Sequence, residues 1–261
     1  MKKAFIILTA AISIVACTSS DDNGSGNNTN FSYLPLTINN SWDYDVATGQ
    51  NVLNDNLEVT AVTGNDYTLT ATPVAPAGIM TGVLSSGELT ASNGQLIGNG
   101  TIGFDFQGVG DFSIDITNGV LYDQNASNGS ELFTTSGVFT ETINNYDLDI
   151  NYKATTKQLA NEPSITVAAG TFTDVLHSQL IIEVSISSEI SIGPITQTIT
   201  LLQAQDVIVV DNYWAQDIGL IKSDNQLDYE LEDFSALGVN LPVPQSASVL
   251  TTQDLTAYNV N

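Results

Sequence analysis

Ile182-Glu183-Val184-Ser185-Ile186-Ser187-Ser188-Glu189-Ile190-Ser191-Ile192 is the stretch from which the fold can be read. Ile182, Val184, Ile186, Ile190 and Ile192 fall on one face with Ser188, and Glu183, Ser185, Ser187, Glu189 and Ser191 fall on the other. A strand alternates its side chains between two faces, whereas a helix groups positions three and four apart, so this is a strand with one dry and one wet face. Gly193-Pro194 turns the chain, and Ile195–Gln203 returns as a Thr-rich strand.

The same period recurs on both sides. Trp42-Asp43-Tyr44-Asp45-Val46 alternates large apolar with acidic residues. Leu57, Val59 and Ala61 alternate with Glu58 and Thr60, and Tyr67, Leu69 and Ala71 with Thr68, Thr70 and Thr72. The turn Thr63-Gly64-Asn65-Asp66 between them makes a hairpin signature. Glycine recurs from Gly78 to Gly119, and short strands are expected at Gly87–Ala91, Gln95–Phe106 and Asp111–Thr117. Leu132–Ile143 and Tyr146–Thr155 form a further hairpin across Asn144-Asn145, with Leu148, Ile150 and Tyr152 inward. Leu227, Tyr229 and Leu231 alternate with acids, and Ser248–Tyr258 is the last strand. No window carries helical spacing; short turns are expected at Asn212–Gln216 and Phe234–Leu237. About a dozen strands of this kind make one large antiparallel sheet with one solvated face. Such a sheet must cover its apolar face by curling, by closing or with a second sheet, so the expected class is all-β with little helix; the open or half β-barrel among these forms is what the resemblance given below implies.

Charge narrows the function classes. The 261 residues hold five Lys and no Arg against 29 Asp and Glu, a formal net charge of −24. Without Lys2 and Lys3, three cations remain against 29 carboxylates, a net of −26. Such a surface repels phosphate backbones and anionic lipid, and offers no Arg or Lys clamps for nucleotides or acidic glycans. Nucleic acid is therefore not an expected partner.

Met1-Lys2-Lys3 is a positive leader start, and Ala4–Val15 is an apolar run too short to span a bilayer. It ends in Ile14-Val15-Ala16-Cys17, and Cys17 is the single cysteine. This pattern resembles the lipobox of bacterial lipoproteins, which implies removal of residues 1–16 and a diacylglycerol on the Cys17 thiol. Residues 17–30 would then be a lipidated, polar tether and 31–261 one all-β domain. Ser20-Asp21-Asp22 resembles the acidic signal that sends lipoproteins of Bacteroidetes-type bacteria to the outer surface; a solvated acidic linker reads the same residues equally well. The expected place is the cell envelope, on the outer membrane, held through acylated Cys17.

Three landmarks suggest kinship. Leu34-Pro35-Leu36 leads to Asn40-Ser41-Trp42-Asp43-Tyr44; Val167-Ala168-Ala169-Gly170-Thr171-Phe172-Thr173-Asp174-Val175 follows; Tyr213-Trp214-Ala215-Gln216-Asp217-Ile218-Gly219-Leu220-Ile221-Lys222 is the last. In this order they resemble uncharacterised bacterial exported lipoproteins of the TapB-like type, similar in architecture to the curved half-barrels of the lipoprotein carriers LolA and LolB. Ala168 stands where that group usually has proline, and Asn39 where it has glycine. The resemblance implies an open antiparallel barrel and brings no activity with it. Read physically, Gly170 and Gly219 serve turns or close packing, and the aromatics anchor a core.

No catalytic constellation stands out. His177, the single histidine, would have to serve any Ser-His-Asp triad, but no nucleophile elbow accompanies it, and it is placed on the solvent face with Gln179 and Glu183. A histidine-based zinc site needs several nitrogen or sulfur ligands, which this chain lacks. No cofactor is expected. A structural calcium would use oxygen ligands, for which Asp21-Asp22-Asn23-Gly24 and Asn54-Asp55-Asn56 are loose candidates beside the default of solvated turns. The chain is therefore expected to be a non-enzymatic, lipid-anchored module. In one form its concave face holds an apolar small molecule, with Trp42, Tyr44 and Trp214 as candidate contacts. In the alternative it binds neutral glycan, or adheres, through aromatic platforms. A carboxylate pair in a cleft would instead favour an enzyme.

Overall fold

The computed structural model describes residues 32–105, 111–143, 146–192, 195–232 and 244–261. Among them the Ile182 stretch belongs to the longest strand, β10 (Gly170–Ile192), hairpinned to β11 (Ile195–Ala215). Leu180, Ile182, Val184, Ile186 and Ser188 point into the dry side, while Glu183, Ser185 and Ser187 stay half-exposed, as the alternation requires.

The remaining strands are β1 (Ser41–Thr48), β2 (Asn51–Thr63), β3 (Asp66–Thr72), β4 (Glu88–Ser92), β5 (Gln95–Asp105), β6 (Asp111–Asp123), β7 (Glu131–Ile143), β8 (Tyr146–Gln158), β9 (Glu162–Val167), β12 (Gly219–Glu230) and β13 (Ser246–Asn259). Among the described residues one helix, α1 (Ile79–Ser85), lies between β3 and β4. The sheet runs β6-β5-β4-β3-β2-β1-β13-β12-β11-β10-β8-β7, with β9 paired off the path to β10, and every described pairing is antiparallel. It is thus two meanders, β1–β6 and β7–β13, joined where β1 pairs with β13.

This sheet curls until it is nearly closed into a barrel. Its two edges, β6 and β7, are not laddered to each other. Instead side chains of β8 reach β6: Thr156 Oγ1 donates to Val120 O (2.6 Å), and the Asp123 amide donates to Gln158 Oε1 (3.2 Å). Side-chain bonds thereby cover part of an edge that would otherwise present free backbone groups.

The inner face is one continuous core contributed by nearly every strand. Its tightest end lies where β1 begins and β11 turns into β12. There Leu34, Trp42, Trp214 and Leu220 have no exposed surface. The first and third landmark stretches meet at this point, since Trp42 Nε1 donates to Ile218 O at 2.6 Å. Gly219 sits against Trp42 with φ +126°, and a Cβ there would lie 2.7 Å from the indole nitrogen. The second landmark is the β9–β10 turn, with Gly170 at φ +149°. The Ala169 amide bonds Leu255 O (3.0 Å) and the Phe172 ring packs on Tyr258, so this turn is fastened to β13. All three stretches are packing devices.

The expected strands are present, several of them longer than the pattern suggested. β6 continues past Gly119 to Asp123. The turn expected near Asn212–Gln216 starts only at Gln216: β11 runs through Ala215, because Asn212 and Trp214 continue the dry-face alternation between two paired neighbours. The segment Phe234–Leu237 and the turns Asn144-Asn145 and Gly193-Pro194 lie outside the described residues. Helix α1 is the element the pattern did not give. Ile79, Val83 and Gly82 are poor helix formers, and seven residues cannot sustain a helix alone, so tertiary contacts hold it.

Candidate ligand-binding cleft

The three aromatics expected to touch a ligand are sealed in the core. Trp42, Tyr44 and Trp214 are at most 1% exposed. Their polar atoms are already bonded, Trp42 Nε1 to Ile218 O, Tyr44 OH to Leu220 O (3.0 Å) and Trp214 Nε1 to Ser178 Oγ (3.0 Å). Tyr122 stacks obliquely on Trp214 at 5.0 Å, and burial raises the phenols of Tyr44 and Tyr122 well above the ordinary tyrosine range. Farther along the interior, a cavity of about 20 Å³ lies between Val83, Ile102, Leu121, Phe133 and Leu180. That is room for about one water molecule.

Open space lies at the opposite end, under α1. A cleft of about 480 Å³ separates the helix and the loop before it from the inner wall of β11, β12 and β13. Its floor is set by register. Ile208, Leu227 and Val249 stand opposite one another across the three strands and form an apolar row. The next inward positions, Asn225 and Thr251, are also paired and form a polar row. The facing side is made by Ile79, Gly82, Ser85 and Ser86, with Thr101 of β5 and Val74 on the rim. Val74 is 94% exposed.

Helix α1 holds its position through the barrel interior. Asp55 of β2 is buried, and its two carboxylate oxygens accept from the amides of Ala77 (2.9 Å) and Gly78 (2.7 Å). Gln253 Nε2 donates to Thr81 Oγ1 at 3.0 Å. The two Asp55 bonds satisfy backbone donors that a helix start leaves open, and the Gln253 bond ties the first turn to β13. Two side-chain acceptors nearby stay unbonded: Asn225 Oδ1, in the cleft wall, and Gln253 Oε1, beneath the helix start.

Among the described residues fifteen line the cleft and none of them is ionisable, in a chain with 29 carboxylates. A charged ligand would leave water without meeting an opposite charge there, which is costly. An uncharged one would meet apolar side chains with hydroxyl and amide groups beside them.

His177 lies on the outer wall, as expected, but is 12% exposed rather than free. Its Nε2 is 2.9 Å from Asp211 Oδ1, its ring stacks on Tyr213 at 4.5 Å, and Glu162 is 4.0 Å from Nδ1. An ionised Asp211 can only accept, so Nε2 carries the proton. Gln179 Nε2 also donates to Asp211 (2.9 Å). Burial works against the Asp211 charge, yet these bonds and the His177 charge outweigh it and hold the carboxyl below its usual range. Tyr213 is pushed up to about 12 by burial and by the charges of Asp211, Asp224 and Glu162. The pairing continues the row as His177, Tyr213, Lys222, Asp254, Asp45 and Asn54 across six strands. Burial disfavours the Lys222 ammonium, but Asp224 (2.7 Å) and Asp254 (3.4 Å) more than restore it. Among the described residues the polar partners of His177 are Asp211 and Glu162, and Ser178 faces inward to Trp214. The row is a set of cross-strand ties.

Asn54-Asp55-Asn56 does not converge on an ion. Asn54 and Asn56 bond Asp45 (2.6 Å) and Asp43 (2.8 Å) outside, while Asp55 points inside to α1. Among the described residues no group of three or more His, Cys, Asp or Glu is placed to hold a metal. Cys17 and Asp21-Asp22-Asn23-Gly24 lie outside the described residues.

Asn225 was the residue sequence reasoning passed over. Stepping back by two from Tyr229 and Leu227 reaches Asn225 and Ser223, so the β12 alternation already placed two polar groups on the dry face.

No family model matches the sequence, and no curated protein does. Among solved structures, a crystal structure from Parabacteroides distasonis, described as a "putative lipoprotein", aligns over 88% of this chain and 99% of that chain, at 15% identity and a TM-score of 0.37. A likeness at that level passes no property to this chain.

Proposed function

We propose that the chain is a lipid-anchored cell-envelope lipoprotein, a non-enzymatic module that holds a small uncharged ligand in the cleft beneath α1. The observation that carries this reading is the cleft itself: about 480 Å³, within the size range of small-molecule sites, and lined by uncharged residues throughout. Acid–base chemistry would need an ionisable group there, which favours binding over catalysis.

Anchoring rests on the Met1–Cys17 pattern, whose acylated thiol would hold the protein to the outer membrane. The barrel wall supports the same view. Its outer face carries Asp43, Asp45, Asn54, Asp115, Asp149 and Glu183, and its inner face is apolar. A lipid-spanning barrel has the opposite pattern, with an apolar outer band. The module would then sit beside the membrane, its acidity keeping nucleic acid away and the Ser20-Asp21-Asp22 signal favouring the cell surface. The half-barrel carriers named above share the idea of a ligand under a curved sheet. Here the seat is an end cleft rather than the interior around Trp42, Tyr44 and Trp214. The neutral-glycan alternative has less support, since both tryptophans are sealed and no aromatic residue lines the cleft among the described residues.

The test is native and intact-mass spectrometry of the full chain, extracted gently from its own membranes. The reading expects acyl mass on Cys17 and a neutral small molecule bound one to one. A Cys17 without acyl mass removes the anchor, and a clean unliganded mass removes the ligand.

A further inference from the structure

Gly82 is the fourth of the seven residues of α1. An interior helical glycine costs ~1 kcal/mol relative to alanine. Gly78 and Gly219 have geometric reasons to be glycine: a Cβ on the first would strike Gln253, and on the second Trp42. Gly82 has none. Its φ lies outside the left-handed region, and the nearest atom to a Cβ there would be Pro76 Cγ at 3.8 Å. What a side chain at 82 would occupy is the cleft. On the wall of that cleft stands the Asn225 carboxamide, whose unbonded Oδ1 is turned away into the wall, beside the apolar row of Ile208, Leu227 and Val249.

We propose that the cleft takes a small uncharged amphiphile, a molecule with an apolar body and a hydroxyl or amide N–H, and that Gly82 keeps the space open for it. This rests on the cleft being the ligand seat and adds the ligand's class and orientation. The apolar body lies on Ile208, Leu227 and Val249 and against Ile79. The polar group turns toward the row of Asn225 and Thr251, the amide and hydroxyl side chains that line the cleft. A carboxylate or ammonium is rejected because no counter-charge lines the cleft.

The experiment is a ligand-observed NMR titration of the full chain in detergent with cyclohexanol and its charged counterpart cyclohexanecarboxylate. Cyclohexanol is expected to saturate one site, and the carboxylate to bind at least tenfold more weakly. Gly82→Leu should abolish cyclohexanol binding while leaving the melting temperature unchanged or higher. Asn225→Ala should weaken cyclohexanol about five- to tenfold, the worth of one hydrogen bond. Equal affinity for the two probes, or no effect of Asn225→Ala, overturns the ligand class and leaves the seat standing. Full binding to a folded Gly82→Leu overturns the role of Gly82. If wild type binds neither probe, the seat itself is wrong.

Discussion

Replacing Gly219 with alanine tests how the tight end of the barrel is built. Gly219 has φ +126°, and an alanine Cβ would stand 2.7 Å from Trp42 Nε1 and 3.2 Å from Leu34 Cδ1. Neither neighbour can yield cheaply, since both are fully buried and the indole nitrogen is bonded to Ile218 O. Strain at that backbone conformation costs about 1–2 kcal/mol, a weakened indole hydrogen bond about 1, and displacement of packed side chains about 1–3. Together these give roughly 4 kcal/mol, a fall in melting temperature of about 8–16 °C for a domain of this size. Gly64→Ala is the control. Gly64 also has positive φ, +66°, but nothing lies within 4 Å of its Cβ position, so only the backbone cost of about 1 kcal/mol applies. Urea unfolding of the full chain, followed by circular dichroism and tryptophan emission, measures both. The reasoning is refuted if Gly219→Ala loses no more stability than Gly64→Ala.

Other consequences follow from the same contacts. Asp55→Ala leaves the Ala77 and Gly78 amides without their acceptor and should cost about 2–4 kcal/mol; hydrogen exchange should quicken in Ile79–Ser85 more than in β10 and β11. Asp211 has a lowered carboxyl, so its contribution is complete above the unfolded carboxylate range near pH 4 and is lost as pH falls through the lower folded value. Asp211→Asn should therefore lower the urea midpoint at pH 6 and narrow the gap to wild type toward pH 2; a gap that widens on acidification contradicts this sign. Cys17→Ala should move the protein from the membrane fraction to the soluble one and end palmitate labelling; unchanged membrane retention would count against lipid anchoring.

The fold was legible wherever one face of a strand is dry. Trp42, Tyr44, Leu57, Leu148, Ile150 and Ile182 all point inward as their alternation requires. What local pattern could not supply was contact at a distance. Helix α1 contains β-branched residues and a glycine, and its hold comes from Asp55 and Gln253, 23 or more residues away in sequence. The aromatics illustrate the other limit. A large ring with an N–H or O–H suits a ligand pocket and a core equally, and only the positions of Ile218 O, Leu220 O and Ser178 Oγ decide for the core. The edges, too, escape local reading: that β1 meets β13 and that β8 reaches β6 depends on the closure of the whole sheet.

The most direct test of the central claim is a methyl NMR map of where cyclohexanol sits on the full chain. The account predicts shifts confined to Ile79, Ile208, Leu227 and Val249, with Leu34, Leu176, Leu220 and Leu255 unmoved. Shifts centred on Leu34 and Leu220, around Trp42 and Trp214, would place the ligand in the barrel interior and contradict the cleft.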